Sequence, residues 1–378
     1  MSTLLHGGRT LDADGRTDGR WVLLDGATIA ATGTGEPPSA DETVDLAGAW
    51  LTPGFVDLHL HGGGGHAFDD GPSAVRAGLA VHRAHGTTRS LVSLAAAPVE
   101  RLETALAAIA DLGDPLVLGV HLEGPFLAAA RCGAHDPRHL RDPHPDDVPR
   151  LLAAGRGALR MVTLAPELPG GLDAVRRLAG AGVTVAVGHT EADLTTAAAA
   201  FDAGARVLTH AFNAMRGLGH REPGPVGAAL RDERVTIELI LDGAHVHPVV
   251  AGLLMSGAPG RVALVSDAMA PAGGPDGGYR LGGRDVTVRD GVAVLAGTTT
   301  LAGSTLTLDT ALRNALALGV DPVAAVAAVT AVPARALGLR DRLGRLAPGY
   351  AADVVVLGDD WTVRAVWAAG VRVAATPA

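Results

Sequence analysis

Short apolar runs of four to eight residues recur along most of the chain, separated by Ala/Leu/Arg-rich segments of helical period. This alternation constrains the fold more than any other feature, because it is typical of βα units around buried parallel strands. The pattern predicts eight strands, at about residues 55–61, 87–93, 116–123, 160–165, 184–189, 206–210, 236–241 and 262–267. Eight such units predict an α/β fold, a TIM-like (β/α)8 barrel whose active site lies at the carboxyl ends of the strands.

Both ends of the chain differ from this pattern. Short β-type runs between Asp/Gly turns lie at residues 21–24, 28–31 and 44–46, and further ones follow position 345. We therefore expect a small β-sandwich domain built from residues 1–52 and 345–378, and a barrel over residues 53–344. Within the barrel region, the Gly-rich alternation of "YRLGGRDVTVRDGVAVLAG" predicts a β-excursion, followed by a helix at about residues 304–318.

The charge balance argues against several partners. With 40 acidic and 31 basic residues, the net charge is -9, so we expect no basic face for nucleic acid or an anionic membrane. No signal-peptide pattern opens the chain, and no apolar stretch reaches the roughly 20 residues that span a bilayer. The single cysteine, Cys132, excludes an intrachain disulfide and a thiolate metal cluster. We expect a cytoplasmic protein.

Every basic residue is an arginine, since the chain contains no lysine. Schiff-base catalysis, a P-loop lysine and a carbamylated lysine between two metals all need a primary amine on a flexible stem. These three mechanisms are therefore excluded, and any metal must be held by nitrogen and oxygen ligands.

Five of the predicted strands end in histidines or carboxylates. These residues are His59 and His61, His121 and Glu123, His189, His210, and Asp267. Because side chains alternate along a strand, the residues within each pair project to the same side of the sheet. All of them should meet at one mouth of the barrel.

A lone histidine after an apolar run is usually a hydrogen-bonded core residue. Several unpaired imidazoles and two carboxylates at one mouth would be costly, however, and a cation satisfies them together. Such ligands suit zinc, iron, cobalt or nickel, and manganese also stays open. His121 is either a ligand or a residue that supports Glu123 from behind.

Several longer motifs occur in order along nearly the whole chain: "PGFVDLHLHGGGG", "HLEGPF", "GAHDP", "GHT", "THAFNAM", "REPG", "DGAHVHP" and "SDAMAPAG". Their order and spacing resemble those of the N-acetylglucosamine-6-phosphate deacetylases of the amidohydrolase superfamily. The absence of lysine agrees with this resemblance, because other branches of the superfamily use a carbamylated lysine on strand four, where this chain has "RMVTLA".

The resemblance implies hydrolysis of N-acetyl-D-glucosamine 6-phosphate to D-glucosamine 6-phosphate and acetate. It assigns one divalent metal to Glu123, His189 and His210. Some family members keep the His-x-His pair and bind a second metal, so His59 and His61 leave one or two ions per subunit open. Asp267 matches the catalytic aspartate, which takes a proton from the water that the metal activates and then gives it to the leaving amine.

Substrate contacts are also implied by the resemblance. They fall on Ala134, His135, Asn213, Ala214, Arg221, His245, Leu301, Ala302 and Gly303. His135 would help to polarise the acetyl carbonyl, and an arginine suits a phosphate because its planar fork binds two oxygens. In family members, the residues that match Arg221 and His245 reach in from the neighbouring subunit, which implies a homodimer.

Two alternatives stay open. The same chemistry would deacetylate N-acetylgalactosamine 6-phosphate or another phosphorylated N-acyl amino sugar, because one inverted hydroxyl is beyond what a sequence shows. A metal-free barrel that serves as a binding module is a different class of function. The intact set of Glu123, His189, His210 and Asp267 argues against that module.

Overall fold

The computed structural model describes residues 1–281 and 283–375. Strands occupy most of the N-terminal region: β1 Ser2–His6, β2 Arg9–Asp12, β3 Gly15–Asp18, β4 Trp21–Asp25, β5 Thr28–Gly33, β6 Glu42–Asp45 and β7 Trp50–Pro53. The three β-type runs predicted there are confirmed as parts of β4, β5 and β6.

Strands and helices alternate through the middle of the chain. The strands are β8 Phe55–Asp57, β9 Gly62–Gly63, β10 His66–Ala67, β11 Thr87–Leu94, β12 Val117–Glu123, β13 Leu159–Leu164, β14 Thr184–Val187, β15 Val207–Leu208, β16 Thr236–Ile240 and β17 Val262–Val265. The α-helices are α1 Pro72–Ala84, α2 Val99–Ala110, α3 Asp147–Gly155, α4 Gly171–Gly180, α5 Leu194–Ala203, α6 Gly224–Arg231 and α7 Pro248–Gly257. Short 3-10 helices cover Phe68–Asp70, Ala129–Arg131 and Pro137–His139.

A three-stranded antiparallel sheet follows, made of β18 Gly277–Leu281, β19 Arg284–Arg289 and β20 Val292–Leu295. It confirms the predicted β-excursion, apart from Gly282, which lies outside the described residues. The remaining elements are α8 Leu308–Ala317, α9 Pro322–Val329, α10 Ala331–Ala336, β21 Val354–Leu357, β22 Val363–Ala368 and β23 Val371–Ala375. Within residues 1–281 and 283–375, no helix has the length and apolarity needed to cross a membrane.

The eight-stranded sheet is parallel, with the described strands in the order β8-β11-β12-β13-β14-β15-β16-β17. Its strands carry mainly apolar residues on both faces, because helices cover the outside and side chains fill the inside. Val56, Val162, Val185, Ile237 and Leu264, for example, are all fully buried. The predicted (β/α)8 barrel is therefore confirmed.

Backbone hydrogen bonds connect the first and last barrel strands just beyond their ends. Asp267 N donates to His59 O at 2.8 Å, and His61 N donates to Ala268 O at 2.7 Å. A parallel bridge between Leu60 and Ala268 lies between these bonds. We call the segments 58–61 and 266–269 the seam of the barrel. The seam carries candidate site residues on both of its sides.

Four of the predicted strands extend too far at their carboxyl ends. The chain leaves the strand conformation after Asp57, Val187, Leu208 and Val265. Five candidate residues therefore lie two to four residues past the strands rather than on them: His59, His61, His189, His210 and Asp267. The backbone φ angle is positive at His189 (48°), His210 (27°) and Asp267 (47°). Extended residues do not adopt this conformation, and it turns each side chain toward the barrel mouth.

The predicted helix at 304–318 begins later than expected, since α8 starts at Leu308. Ser304 instead bonds to the seam: its N donates to Asp267 O at 2.8 Å, and its Oγ donates to Ser266 O at 2.5 Å. These bonds hold residues 301–303, which precede it, beside the barrel mouth.

Strands from both chain ends form two further sheets, with the described strands in the orders β5-β4-β1-β6 and β23-β22-β21-β7-β2-β3. The antiparallel pairing of β7 with β21, in which Leu51 lies opposite Val356, joins the two ends. Apolar side chains of both sheets pack together, among them Leu5, Val22, Leu51, Val354 and Trp367. This is the predicted β-sandwich.

An ion pair connects the barrel to the sheet made by the C-terminal strands. Arg89 of β11 contacts Asp353 through two bonds, Nε to Oδ2 at 2.6 Å and Nη2 to Oδ1 at 3.2 Å. The two side chains are only 12% and 5% exposed. A two-bond contact with so little water fixes the orientation of both groups.

Candidate metal centre and active site

The first group of candidate ligands consists of Glu123, His189 and His210, all of them buried. Glu123 Oε1 lies 3.0 Å from His189 Nε2 and 3.1 Å from His210 Nε2, and the two imidazole nitrogens are 3.0 Å apart. His189 Nδ1 lies 2.7 Å from the carbonyl oxygen of Arg131. Because a carbonyl only accepts, Nδ1 carries the proton and Nε2 keeps its lone pair for the centre of the group.

The second group consists of His59, His61 and the same Glu123. The two imidazoles approach through their Nε2 atoms at 3.1 Å. Glu123 contributes Oε1 at 3.4 Å from His59 Nε2 and Oε2 at 3.2 Å from His61 Nε2. One carboxylate therefore faces both groups, with a different oxygen nearest to each imidazole of the second group.

Glu123 lies at the centre of a cluster of imidazoles. Five of them lie within 3.4 Å of its oxygens: His59, His61, His135, His189 and His210. Burial raises the pKa of Glu123, but these imidazoles, His59 first, outweigh burial and hold the pKa well below its usual range. Glu123 is thus an ionised ligand.

The arrangement fits a divalent cation. In each group, the Nε2 atoms of two histidines lie 3.0–3.1 Å apart. If neither nitrogen carries a proton, their lone pairs face and repel each other unless a cation lies between them. The Nδ1 atoms of His61 and His210 have no hydrogen-bond partner among the described residues. Imidazole nitrogen and carboxylate oxygen are suitable ligands for first-row divalent metals.

Asp267 borders the second group from the opposite side of the seam. Its Oδ1 lies 3.6 Å from Nε2 of both His59 and His61. The side chain is 12% exposed and lines the cavity that opens at the barrel mouth. Asp267 can therefore reach both the candidate metal ligands and a molecule in the cavity.

His121 is not placed as a ligand. Its Nδ1 lies 2.9 Å from Ser93 Oγ and its Nε2 lies 2.8 Å from Thr163 Oγ1, so both ring nitrogens already have partners. Burial, followed by the charge of His59, lowers the pKa of His121 well below the usual value. His121 faces the barrel interior, as expected, and its ring packs edge-on against that of His59, with the ring centroids 4.5 Å apart.

A cavity of about 420 Å³ opens above the two groups of ligands. Most of the predicted substrate-contacting residues line it, namely Ala134, His135, Asn213, Ala214, His245, Leu301 and Gly303. Ala302 is fully buried and packs against Met269 and the residues of β19 instead of lining the cavity. Its backbone is nevertheless held in place, because its N donates to Ala293 O at 3.0 Å.

His245 lines the cavity of its own chain, where its Nδ1 lies 2.7 Å from Asp242 Oδ2. Burial lowers the pKa of His245, but the Asp242 carboxylate outweighs burial and raises it overall. Arg221, by contrast, is exposed and lies outside the lining of this cavity.

Sequence reasoning missed several residues around the site. Glu238, in the middle of β16, accepts from the ring of His59, with Oε2 at 3.3 Å from Nδ1. Asp69, Arg101 and Arg131 also line the cavity. A glutamate inside the apolar run "TIELIL" is a usable signal, since a buried charged residue is rare without a partner.

Comparison with known proteins identifies the family to which the chain belongs. The family model described as "Amidohydrolase family" matches residues 50–373. The N-acetylgalactosamine-6-phosphate deacetylase of Escherichia coli O157:H7 is 40% identical, and the match covers 98% of this chain and 99% of that protein. The N-acetylglucosamine-6-phosphate deacetylase of Bos taurus is 38% identical, with 88% of this chain and 85% of that protein covered.

Solved structures give the same result. A mutant N-acetyl-D-glucosamine-6-phosphate deacetylase from Mycobacterium smegmatis, solved in complex with N-acetyl-D-glucosamine-6-phosphate, is 44% identical with a TM-score of 0.94 over 99% of both chains. The N-acetylglucosamine-6-phosphate deacetylase of Thermotoga maritima is 29% identical with a TM-score of 0.89, covering 99% of this chain and 100% of that chain. The chain therefore belongs to the amidohydrolase family, among its deacetylases of N-acetylated amino-sugar 6-phosphates.

Proposed function

We propose that this protein hydrolyses the acetamide of N-acetyl-D-glucosamine 6-phosphate, giving D-glucosamine 6-phosphate and acetate. The observation that carries the proposal is the convergence of Glu123, His189, His210 and Asp267 at the base of one cavity. The 44% identity with the Mycobacterium smegmatis deacetylase over 99% of both chains supports the choice of substrate.

Glu123, His189 and His210 would hold a divalent metal, and His59 and His61 belong to the second group around the same carboxylate. Zinc and iron suit these ligands best, and cobalt, nickel and manganese are the other candidates. When bound, such an ion supplies Lewis-acid chemistry, which lowers the pKa of water and polarises a carbonyl.

The chain's own groups would move the protons. Asp267 takes a proton from the attacking water, whose oxygen then forms the new bond to the acetyl carbon. The C–N bond breaks, and Asp267 delivers the proton to the departing amine, so acetate and the amino sugar leave in balance. The contact of Asp267 with the second group and its place in the cavity wall support both steps.

His135 would stabilise the carbonyl oxygen. Its Nδ1 accepts from the backbone N–H of Ala96 at 3.3 Å, so the ring proton lies on Nε2, the atom that faces Glu123 at 3.1 Å. Burial lowers the pKa of His135, which favours the neutral ring. A neutral imidazole with its proton at Nε2 can donate to an oxygen that gains negative charge.

Sugar and phosphate contacts would come from other residues at the cavity. We assign them to Asn213, Ala214, His245 and the backbone of residues 301–303, with Ala134 beside His135. His245 is suited to an oxyanion because the Asp242 carboxylate raises its pKa and so favours the charged ring. Asn213 is held by its own loop, since Nδ2 donates to the carbonyl oxygens of His210 and Ala211.

A homodimer would bring Arg221 into the neighbouring active site as a phosphate ligand. Apolar side chains near this loop are exposed: Leu218 by 50%, Val249 by 65% and Leu253 by 69%. Leu218 follows β15 and the other two lie on α7, which follows β16, the next strand in the sheet. Large apolar side chains exposed on two neighbouring units of the barrel support pairing of two copies.

Co-expression of Arg221→Gln and Asp267→Asn chains tests this dimer. If Arg221 serves the partner's site, mixed dimers contain one site with both residues intact and regain turnover that neither variant has alone. Equal inactivity of the mixture and the separate variants, under conditions where mixed dimers are isolated by two tags, would refute the cross-subunit role.

Deacetylation of N-acetylgalactosamine 6-phosphate is the second candidate, favoured by the 40% identity with the Escherichia coli O157:H7 relative over 98% of the chain. Both candidates are tested by kcat/KM on the two sugar phosphates and their unphosphorylated forms, with the bound metal quantified. We expect the glucosamine epimer to react faster and phosphorylation to lower KM. Metal-loaded protein that releases no acetate from any of them would refute both.

The domain boundaries and the compartment are also proposed. Residues 1–52 and 345–378 would form the β-sandwich domain, of which 376–378 lie outside the described residues, and residues 53–344 would form the barrel. The pairing of β7 with β21 supports a domain made from both ends. A cytoplasmic location is supported by the chemistry of the proposed substrate, because a phosphorylated sugar does not cross membranes by itself.

A further inference from the structure

The β-excursion made of β18, β19 and β20 contacts two parts of the cavity wall. It bonds to the segment at 301–303, where Ala302 N donates to Ala293 O at 3.0 Å. Its apolar side chains also pack against Ala134, which precedes His135 in the loop after β12. The excursion therefore holds the proposed substrate segment and the loop of His135 at the same time.

Arg284 of β19 adds a polar contact to that loop. Its Nη1 donates to the carbonyl oxygen of Ala134 at 3.2 Å and to that of His135 at 3.1 Å. The side chain is half-buried. A guanidinium stays charged at every pH at which proteins fold, and hydrogen bonds from a charged donor are stronger than those between neutral groups. Arg284 therefore fixes both carbonyl groups.

These two carbonyl groups lie on either side of the His135 α-carbon. Each belongs to a planar peptide unit, and the two dihedral angles between such planes determine the direction in which a side chain leaves the backbone. The ring of His135 has its own contacts at the cavity, because Nδ1 accepts from Ala96 N at 3.3 Å and Nε2 lies 3.1 Å from Glu123 Oε2. Arg284 acts on the same residue from the main chain.

We infer that Arg284 is a positioning residue for the deacetylation, because it holds both peptide planes around His135 and so aims Nε2 of that residue at the acetyl carbonyl oxygen. The inference rests on the role of His135 in the proposed function and adds the residue, outside the barrel, that sets its direction. Negative charge develops on the carbonyl oxygen in the transition state, so the position of the donor should affect kcat more than KM.

Arg284→Met tests the inference, since methionine keeps an apolar stem but has no donor. With N-acetyl-D-glucosamine 6-phosphate, kcat should fall by roughly 10- to 100-fold, as expected when a catalytic group is slightly misplaced. KM should change by less than about threefold. Arg284→Lys keeps a charged donor without the fork of the guanidinium, so its kcat should lie between those of Arg284→Met and the wild type.

A double-mutant cycle with His135→Asn separates this role from a general effect on the cavity. If Arg284 acts through His135, Arg284→Met should lower kcat by less than about twofold once His135 is replaced, because coupled residues do not contribute additively. A change in folding or in the shape of the cavity would instead lower kcat by the same factor in both backgrounds.

Hydrogen exchange of the backbone amides of residues 128–136 gives a readout that does not depend on activity. Loss of the Arg284 contact should make exchange in this loop roughly 10-fold faster. Arg289→Met is the matched control, because Arg289 ends the same strand but is exposed. Its exchange in this loop and its kcat should equal those of the wild type.

Either of two kinetic results would overturn the inference: a wild-type kcat in Arg284→Met, or equal losses of kcat with and without His135. A wild-type protein that releases no acetate from the sugar phosphate would refute the proposed function instead. Exchange then decides about Arg284, since an unchanged rate in the loop of Arg284→Met would show that the contact does not position His135.

Discussion

The buried His82 of α1 should make the folded protein less stable in mild acid. The side chain is fully buried, and its Nε2 donates to the carbonyl oxygen of Gly62, directly after the His-x-His pair, at 2.8 Å. Its Nδ1 has no partner among the described residues, so a second ring proton would be buried without an acceptor. Burial accordingly lowers the pKa of His82 to about 4.

The sign of this pH effect follows from proton binding. Between pH 6.5 and about 4, the unfolded chain, in which the histidine pKa is 6.5, binds more protons at this residue than the folded chain does. The stabilising contribution is therefore complete above pH 6.5 and is lost as the pH decreases through this window. At about 1.36 kcal/mol per pKa unit, the whole difference is about 3 kcal/mol. Between pH 8 and pH 5 the loss should be about 2 kcal/mol.

Urea unfolding of the wild type and of His82→Gln at both pH values measures this loss. Glutamine keeps a donor for Gly62 but cannot take up a proton. All titrations common to the two proteins, including those of the metal ligands, cancel in the comparison. The wild type should lose about 2 kcal/mol more than the variant. Equal losses in both proteins would refute the assignment of acid sensitivity to His82.

Two further predictions concern the site and the domain contact. Asp267→Asn should lower kcat by roughly 100- to 10,000-fold, because it removes the proposed acid–base group. Elemental analysis showing an unchanged amount of bound metal would prove that the loss of activity is not a loss of metal. A wild-type kcat in this variant would contradict the proposed role. Asp353→Asn should destabilise the protein by about 3 kcal/mol in urea, because it leaves Arg89 unpaired at a buried contact, with kcat unchanged. Asp18→Asn, which breaks an exposed pair with Arg16, is the control and should cause no measurable change.

The barrel could be predicted because its signal is repeated along the chain. Each strand is a short run buried on both faces, and each helix follows it with a different period, so errors at single boundaries do not change the topology. The ends of the strands were harder to predict. At His189 and His210 the backbone turns with positive φ, and nothing in "VAVGHT" or "VLTHAFNAM" marks a histidine for this conformation.

The candidate ligands could be predicted as a set, but their outer contacts could not. Counting polar residues at strand ends finds Glu123 and the histidines, because parallel strands end at one face of the barrel. Glu238 lies within β16 and contacts His59, which follows β8, a strand that is not a neighbour of β16 in the sheet. Contacts across the barrel interior depend on strand tilt and register, which periodicity does not give.

The contacts of His245 could not be predicted from the sequence either, because the orientation of a loop side chain depends on local folding. Here Asp242, three residues earlier, accepts from both the backbone N and the ring of His245, at 2.9 and 2.7 Å. This pairing turns the imidazole over its own barrel mouth. Arg221 has no such contact among the described residues and remains exposed.

The seam explains how distant parts of the sequence form one precise site. His59 and His61 lie on one side of it and Asp267 on the other, and backbone bonds of 2.7 and 2.8 Å join the two sides. Asp267 O also accepts from Ser304 N at 2.8 Å, directly after residues 301–303. Because these are backbone hydrogen bonds, they fix the spacing between the His-x-His pair, Asp267 and residues 301–303 independently of side-chain conformation. Closing the barrel and preorganising the site are therefore the same structural event.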